Sequence, residues 1–353
     1  KFPLFSYDED SNGTLTVTGT DRNRNTVKFK SDSMGRVLLI VDQNGNETSY
    51  QYDDKGNLLA ETNGNGDTIS YEYDGLNPTK IKDYLGNVTK MEYDINGNIV
   101  TVEGSIGEKS TYTYNPINLP ETTTEHSGIR RSYTYNAFGQ VVTESVTGNG
   151  VKYYEYIDGR VASITDFMGN RTEMTYDVYG NLKTATDRDG NTTTYQYDAL
   201  GRTLSITTSD GTINYTYDER GNETSVTDAK GNTTLYVYDG NNRPVSEENA
   251  KGEITKYSYD REDRLLAIEY SDGTVFSNVY DPVGNVIKTI NENGEVCKYT
   301  YDKADKVLSM TIINGDESYT QEYEYYPNGK QKSTTFADGT RESYEYDKAW
   351  RLT

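Results

Sequence analysis

Cysteine, histidine, tryptophan and long apolar runs are all scarce in this chain of 353 residues. The single cysteine, Cys297, excludes an internal disulfide and reads as a small strand residue beside Lys298-Tyr299. The single histidine, His126, has only that distant cysteine for company. That excludes most nucleophile–base pairs and histidine metal sites. In Glu125-His126-Ser127-Gly128 it reads as an exposed turn residue. No stretch is apolar for long enough to span a membrane as a helix, and Lys1 opens no leader sequence. Basic residues are outnumbered 35 to 56 by acidic ones, and the net charge of -21 speaks against nucleic acid or an anionic membrane surface as partner. Apolar residues make up only 33% of the chain, too few to fill the inside of a sandwich or a solid β-helix. No window carries a 3.6-residue apolar period, and abundant Gly, Asn and Thr would fray any long helix.

What the chain has instead is tyrosine, 34 of them, in a fixed register. The second tyrosine of each Tyr-x-Tyr falls at Tyr52, Tyr73, Tyr93, Tyr114, Tyr135, Tyr156, Tyr176 and Tyr197. It continues at Tyr217, Tyr238, Tyr259, Tyr280, Tyr301, Tyr325 and Tyr346, with steps of 20 or 21 residues and one of 24 after Tyr301. A period of this size announces a repeat architecture. In Tyr176–Tyr197 the unit reads YDVYGNLKTATDRDGNTTTYQY: two short β-favouring segments separated by turn residues. That is the signature of a hairpin. The fold class is therefore all-β, a tandem array of antiparallel hairpins.

The structural positions of the repeat follow from turn chemistry. An aspartate after the tyrosine can bond the backbone two residues on, and a glycine supplies positive φ. These positions are Asp53 and Gly56, Asp74, Asp94 and Gly97, Asp177 and Gly180, Asp198 and Gly201, Asp218 and Gly221. They recur at Asp239, Asp260, Asp281, Asp302 and Asp347. Asn115 and Asn136 replace the aspartate twice, so the role is turn capping and not acid chemistry. Asn44-Gly45-Asn46, Asp189-Gly190-Asn191 and Lys230-Gly231-Asn232 make the turn at the other end. The long step is absorbed around Asn314-Gly315-Asp316, and Trp350 stands where a further hairpin would begin. The two tyrosines of each strand share a face, so hairpin on hairpin is expected to align rings into ladders.

About 34 strands at roughly 4.8 Å each would run on the order of 160 Å, far beyond the ten or so strands an open twisted sheet tolerates. The sheet is expected to curl or spiral, as a hollow shell or an open β-solenoid. Residues 1–51 form an irregular N-terminal part, either degenerate repeats or a cap, and 52–353 form the regular array as a single domain. The chain starts and stops inside repeats and reads as a piece of a longer protein. No catalytic, cofactor-binding or metal-binding residue is assigned. The carboxylates recur in every repeat, and none is singled out by its surroundings as a catalytic pair would be. Asp187-x-Asp189-Gly190 lacks the spacing of a calcium loop. Asn-x-Thr triplets such as Asn46-Glu47-Thr48 arise from the repeat itself.

The unit Tyr-x-Tyr-Asp-x-x-Gly-(Asn/Arg)-(Leu/Val), as in Tyr195-Gln196-Tyr197-Asp198-Ala199-Leu200-Gly201-Arg202 and Tyr71-Glu72-Tyr73-Asp74, resembles the YD repeat of the Rhs family. The likeness covers essentially the whole chain. It implies hairpin arrays that spiral into a hollow shell. Such shells enclose a C-terminal toxin in bacterial Rhs and Tc-type toxins and form an adhesion scaffold in teneurins; wall-associated bacterial proteins carry the same repeats. The resemblance implies a secreted or surface location, and partners among other segments of the same polypeptide, a cargo or a capping domain. A cell-surface protein or glycan is the alternative partner, with the chain as an adhesion or carbohydrate-binding module. Family toxins mark self-cleavage with Asp-Pro-x-Gly motifs; here Asp281-Pro282-Val283-Gly284 fills an ordinary repeat turn and reads as a repeat variant.

Overall fold

A computed structural model describes residues 4–11, 13–21, 24–347 and 351–353; Trp350 and the first residues of the apolar lead-in lie outside them. Among the described residues, 33 strands and no helix form one sheet. The chain divides into two compact units. The first comprises residues 1–92, 102–108 and 257–353, the second 93–101 and 109–256.

Within each unit successive strands pair antiparallel. In the first, Glu47–Tyr52 pairs with Leu58–Thr62, which pairs with Thr68–Asp74. In the second, Arg171–Tyr176 pairs with Leu182–Thr186, which pairs with Thr192–Tyr197. Strands Leu4–Glu9, Leu15–Thr20, Thr26–Ser31 and Val37–Val41 join the same kind of ladder although their sequences lack the regular tyrosine spelling. The ladder needs only alternating β-favouring residues and turns. Where the step lengthens to 24 residues, Val307–Asn314 and Glu317–Tyr325 simply extend, closed by a two-residue turn at 315–316.

The two faces of the sheet differ. In Thr192–Tyr197, Tyr195 and Tyr197 are half-buried on one face while Gln196 between them is exposed on the other. The exposed face is tied by hydroxyl pairs across neighbouring strands, Thr175 to Thr184 and Thr134 to Thr143 at 2.6 Å each, and Thr113 to Thr122 at 2.8 Å. Among the described residues Val146 is the one apolar side chain buried outright, beside small polar ones such as Ser163, Ser205 and Ser333. The sheet therefore has no conventional core. Its covered surface is tyrosine, whose ring is apolar and whose hydroxyl still needs a partner.

Turns alternate between two edges. Those after the tyrosines lie on one, here the tyrosine edge; those such as Asp187–Asn191 lie on the opposite, far edge. At the tyrosine edge the ladder slips by one residue just before the turn, between Thr175 and Tyr176 and again between Gln196 and Tyr197. Such a bulge adds local twist and re-aims the side chain that follows.

Candidate functional site: the hairpin edges and their seam

The tip at Asp177 shows how each turn is built. The Asp177 N–H donates to the Asn181 carbonyl (2.9 Å), and the Gly180 N–H donates back to the Asp177 carbonyl (3.1 Å). Gly180 has φ 93°, the left-handed conformation that closes a three-residue loop with a bulge. The carboxylate does the rest. Its Oδ1 accepts from the Tyr179 and Asn181 N–H groups at 2.9 Å each, and its Oδ2 accepts from the Asn181 side-chain amide at 3.0 Å. Asp94 with Asn98 and Asp218 with Asn222 repeat the arrangement. Their carboxyls are held below the usual carboxylate range, foremost by that side-chain amide and further by the backbone donors. At Asp53 and Asp198 partial desolvation opposes the effect, and the hydrogen bonds outweigh it. Asn115 keeps the backbone-capping oxygen, accepting from Ile117 and Leu119.

The tyrosine and the residue four places after the aspartate tie each tip to its neighbours. Tyr197 donates its hydroxyl to the Leu182 carbonyl (2.9 Å), one strand back. Tyr114, Tyr156, Tyr176, Tyr217, Tyr280 and Tyr301 make the equivalent bond to Ile99, Val141, Val161, Thr203, Leu265 and Val286. Rings stack on rings at Tyr326 and Tyr346, edge to face with centroids 5.9 Å apart. The recurrent contact expected from the sequence, ring on ring, is replaced in these repeats by hydroxyl to carbonyl, because the bulge turns each ring toward the preceding strand. In the other direction, Arg202 grips Asp198 and donates forward to the Asp218 carbonyl (3.0 Å), with its guanidinium 4.7 Å from the Tyr217 ring centre. Arg264 does the same with Asp260, the Asp281 carbonyl and Tyr280; Asn57 reaches the Gly75 carbonyl.

Within the first unit the two edges meet. Asn44 and Asn65, each third in a far-edge turn, donate their amides to the carboxylates of Asp281 and Asp302, at 2.9 Å in both cases and 237 residues away in both cases. Next to the second of these bonds the backbone closes up: a Cβ on Gly64 would collide with the Lys303 carbonyl. The Asp281 carboxyl is partly desolvated there, but hydrogen bonds from Asn44 and Asn285 keep it below the usual range. Beside this seam lies a cavity of about 660 Å³, lined among others by Asp42, Asp67, Tyr84, Tyr323 and Tyr325. A second of about 650 Å³ runs past Tyr299 and Tyr301.

The predicted repeat positions sit at these tips. Tyr52, Tyr73, Tyr93, Tyr176, Tyr197, Tyr217, Tyr238, Tyr259, Tyr280 and Tyr301 end or nearly end their strands at the tyrosine edge. Gly56, Gly97, Gly180, Gly201 and Gly221 all have positive φ. Asp53, Asp94, Asp177, Asp198, Asp218, Asp239, Asp260, Asp281 and Asp302 open five-residue turns, and the Asp347 N–H donates to the Arg351 carbonyl. Asp74 does not: its turn closes in two residues, and Asp74 itself pairs with Asn77 in the ladder. Tyr346 forms an isolated bridge with Leu352. His126 is exposed in its turn, and Asn46 of the Asn-x-Thr triplets binds Asp42. Sequence reasoning placed Asn44 in a turn, and the Asn or Arg four places after each aspartate in the repeat unit, without their contacts; it missed Asn65 and Gly64. The recurrent Asn or Arg at that fourth place, and the doubled glycine in Asn63-Gly64-Asn65-Gly66, were the available signals.

This hardware of tyrosine, capped turn and bulge has known counterparts. The family model of the teneurin YD-shell matches residues 117–296, half of the chain, and that of the RHS repeat matches 32–68 and 52–77. The chain belongs to the teneurin YD-shell family. No curated protein matches this YD-shell chain in sequence. Among solved structures, TcdB2-TccC3 superposes with a TM-score of 0.81 at 14% identity over 99% of this chain. TcdB2-TccC3-Cdc42 follows with 0.60 at 18% over 99%, and the Photorhabdus luminescens Tc holotoxin pore with 0.57 at 17% over 98%. At these identities the likeness shows the fold. The YD-shell chain spans 22–23% of the length of those solved chains.

Proposed function

We propose that the chain is a structural segment of a secreted or surface-exposed shell that encloses or presents a C-terminal cargo, with no catalysis of its own. The observation that carries this reading is the seam. Two stretches of the hairpin array, 237 residues apart, meet edge to edge through side chains that the turn itself supplies. Turns that bind one another edge to edge join separate stretches of the array into a continuous wall. The tyrosine, aspartate and glycine positions serve that wall at repeat after repeat, which supports a scaffold role over a singular active centre. The partners would then be other segments of the same polypeptide.

The test is limited proteolysis of a polypeptide carrying this segment followed by its cargo, with and without Asn44→Asp and Asn65→Asp together. Those changes set carboxylate against carboxylate at the seam. Containment predicts that the cargo resists digestion in the parent and is cut faster in the variant. Equal digestion of both would refute it. Binding of a glycan panel, lost on replacing Tyr84 and Tyr323, would instead favour the adhesion reading.

A further inference from the structure

The seam in the first unit shows what lies against a tyrosine-edge tip: a far-edge turn. At the two tips it engages, the third residue of the turn, Val283 or Ala304, is half-buried. In the second unit the same position carries Ile117, Phe138, Tyr179 and Leu200, and these are exposed, Phe138 to 89%, Tyr179 to 85% and Leu200 to 77%. Ile95 and Val178, second in their turns, are also open to solvent. Neighbouring tips on one edge are two strands apart, about 10 Å, so these residues make a row roughly 50 Å long. A single exposed apolar residue needs no explanation; a row on one edge does. The row stops at the next tips, where Arg220 and Asn241 take the third place.

We propose that this row seats the far edge of a second copy of the chain, so that the seam inside the first unit is repeated between molecules. The far edge of the second unit is fitted for it. Where Asn44 and Asn65 donate in the observed seam, the turns at 228–232 and 249–253 place exposed Lys230 and Lys251. These meet the Asp177 and Asp198 carboxylates of the copy as the two asparagines meet Asp281 and Asp302. Met168, third in its far-edge turn and 84% exposed, adds apolar surface to the same edge. The two edges are different surfaces, so the contact is head-to-tail and leaves one edge of each kind open in a dimer. Net charge of the same sign on both copies opposes it, and salt screens that repulsion together with the lysine–aspartate attraction. The inference stands on the seam geometry and does not require that the wall hold a cargo.

Sedimentation velocity of the 353-residue chain over a wide concentration range, at low and raised salt, tests it. The expected result is concentration-dependent growth beyond a dimer at one salt concentration or both. Replacing Phe138→Asp, Tyr179→Asp and Leu200→Asp together should weaken association at least tenfold, roughly the loss of one interface anchor, with the thermal melt unchanged because all three side chains are exposed. Lys230→Glu with Lys251→Glu, on the other edge, should weaken it as well. Mixing the two variants should then give a 1:1 dimer that grows no further, since each keeps one intact edge. A chain that stays monomeric at its highest concentration overturns the proposal. So does a triple variant that associates like the parent, or a mixture that forms no dimer.

Discussion

Gly64→Ala is the sharpest perturbation this structure offers. Gly64 does not need a left-handed backbone, so its own turn accepts alanine without strain. The methyl group would, however, meet the Lys303 carbonyl, which is backbone and cannot swing aside. The seam must part to admit it. Parting breaks the Asn65–Asp302 bond and strains or breaks Asn44–Asp281. Amide-to-carboxylate bonds are worth more when buried, but these are exposed, and about 1 kcal/mol each is the fair figure. Losing both therefore costs about 2 kcal/mol, roughly a thirtyfold rise in seam opening. The in-sheet ladders are untouched, so the effect stays local, as repeat arrays allow. Hydrogen exchange read peptide by peptide should show faster exchange at 63–67 and 302–306, with the hairpins of 171–197 unchanged. Gly45→Ala is the control: nothing lies within 4 Å of its added Cβ, and its φ of 84° strains only its own turn. Unaltered exchange at 302–306 in Gly64→Ala would show that the close approach does not hold the seam.

Other outcomes follow from the same contacts. Asp177→Ala removes three hydrogen bonds from one tip and should loosen that hairpin, while Asp177→Asn, the replacement seen naturally at Asn115, should loosen it less; chemical denaturation followed by exchange distinguishes the two. Tyr197→Phe strands the Leu182 carbonyl and should cost about 1 kcal/mol by the same measure. Arg264→Lys keeps the charge but loses the planar grip on Asp260 and the Asp281 carbonyl, and should destabilise the tips at 260–264 and 281–285 more than Arg351→Lys affects the exposed pair with Asp347. Acid should loosen many tips together. The Asp94, Asp177 and Asp218 carboxyls are depressed in the folded chain, so their contribution is complete above the ordinary aspartate range and is lost as pH falls through the folded values. Thermal melts should be level from neutral pH down to about 5 and fall below about 4; a melt unchanged in strong acid would contradict the capping role.

The hairpins were legible because their determinants are local. An aspartate, a glycine three places on and two tyrosines two places apart act within a few residues, and Asn115 in place of aspartate even disclosed that the group caps rather than titrates. What joins hairpin to hairpin was only partly legible. The destination of the Tyr197 hydroxyl depends on a one-residue slip of the ladder at Gln196/Tyr197, which no single strand announces. The seam was not legible at all. Asn44 meets Asp281, and the sequence of either turn says nothing about a partner 237 residues away. Asp74 erred in the other direction: it carries the spelling of a capped tip, yet Gly75-Leu76 close the turn in two residues.

The direction of the tyrosine bond has a consequence for synthesis. Each of these hydroxyls points to a carbonyl made some fifteen residues earlier: Tyr197 to Leu182, Tyr176 to Val161, Tyr156 to Val141. A hairpin emerging from the ribosome thus finds the anchor of its tyrosine already in place. Assembly can run as a ratchet, one tooth per repeat, in which every new segment locks onto the finished edge. Length can then change by whole repeats without redrafting what came before.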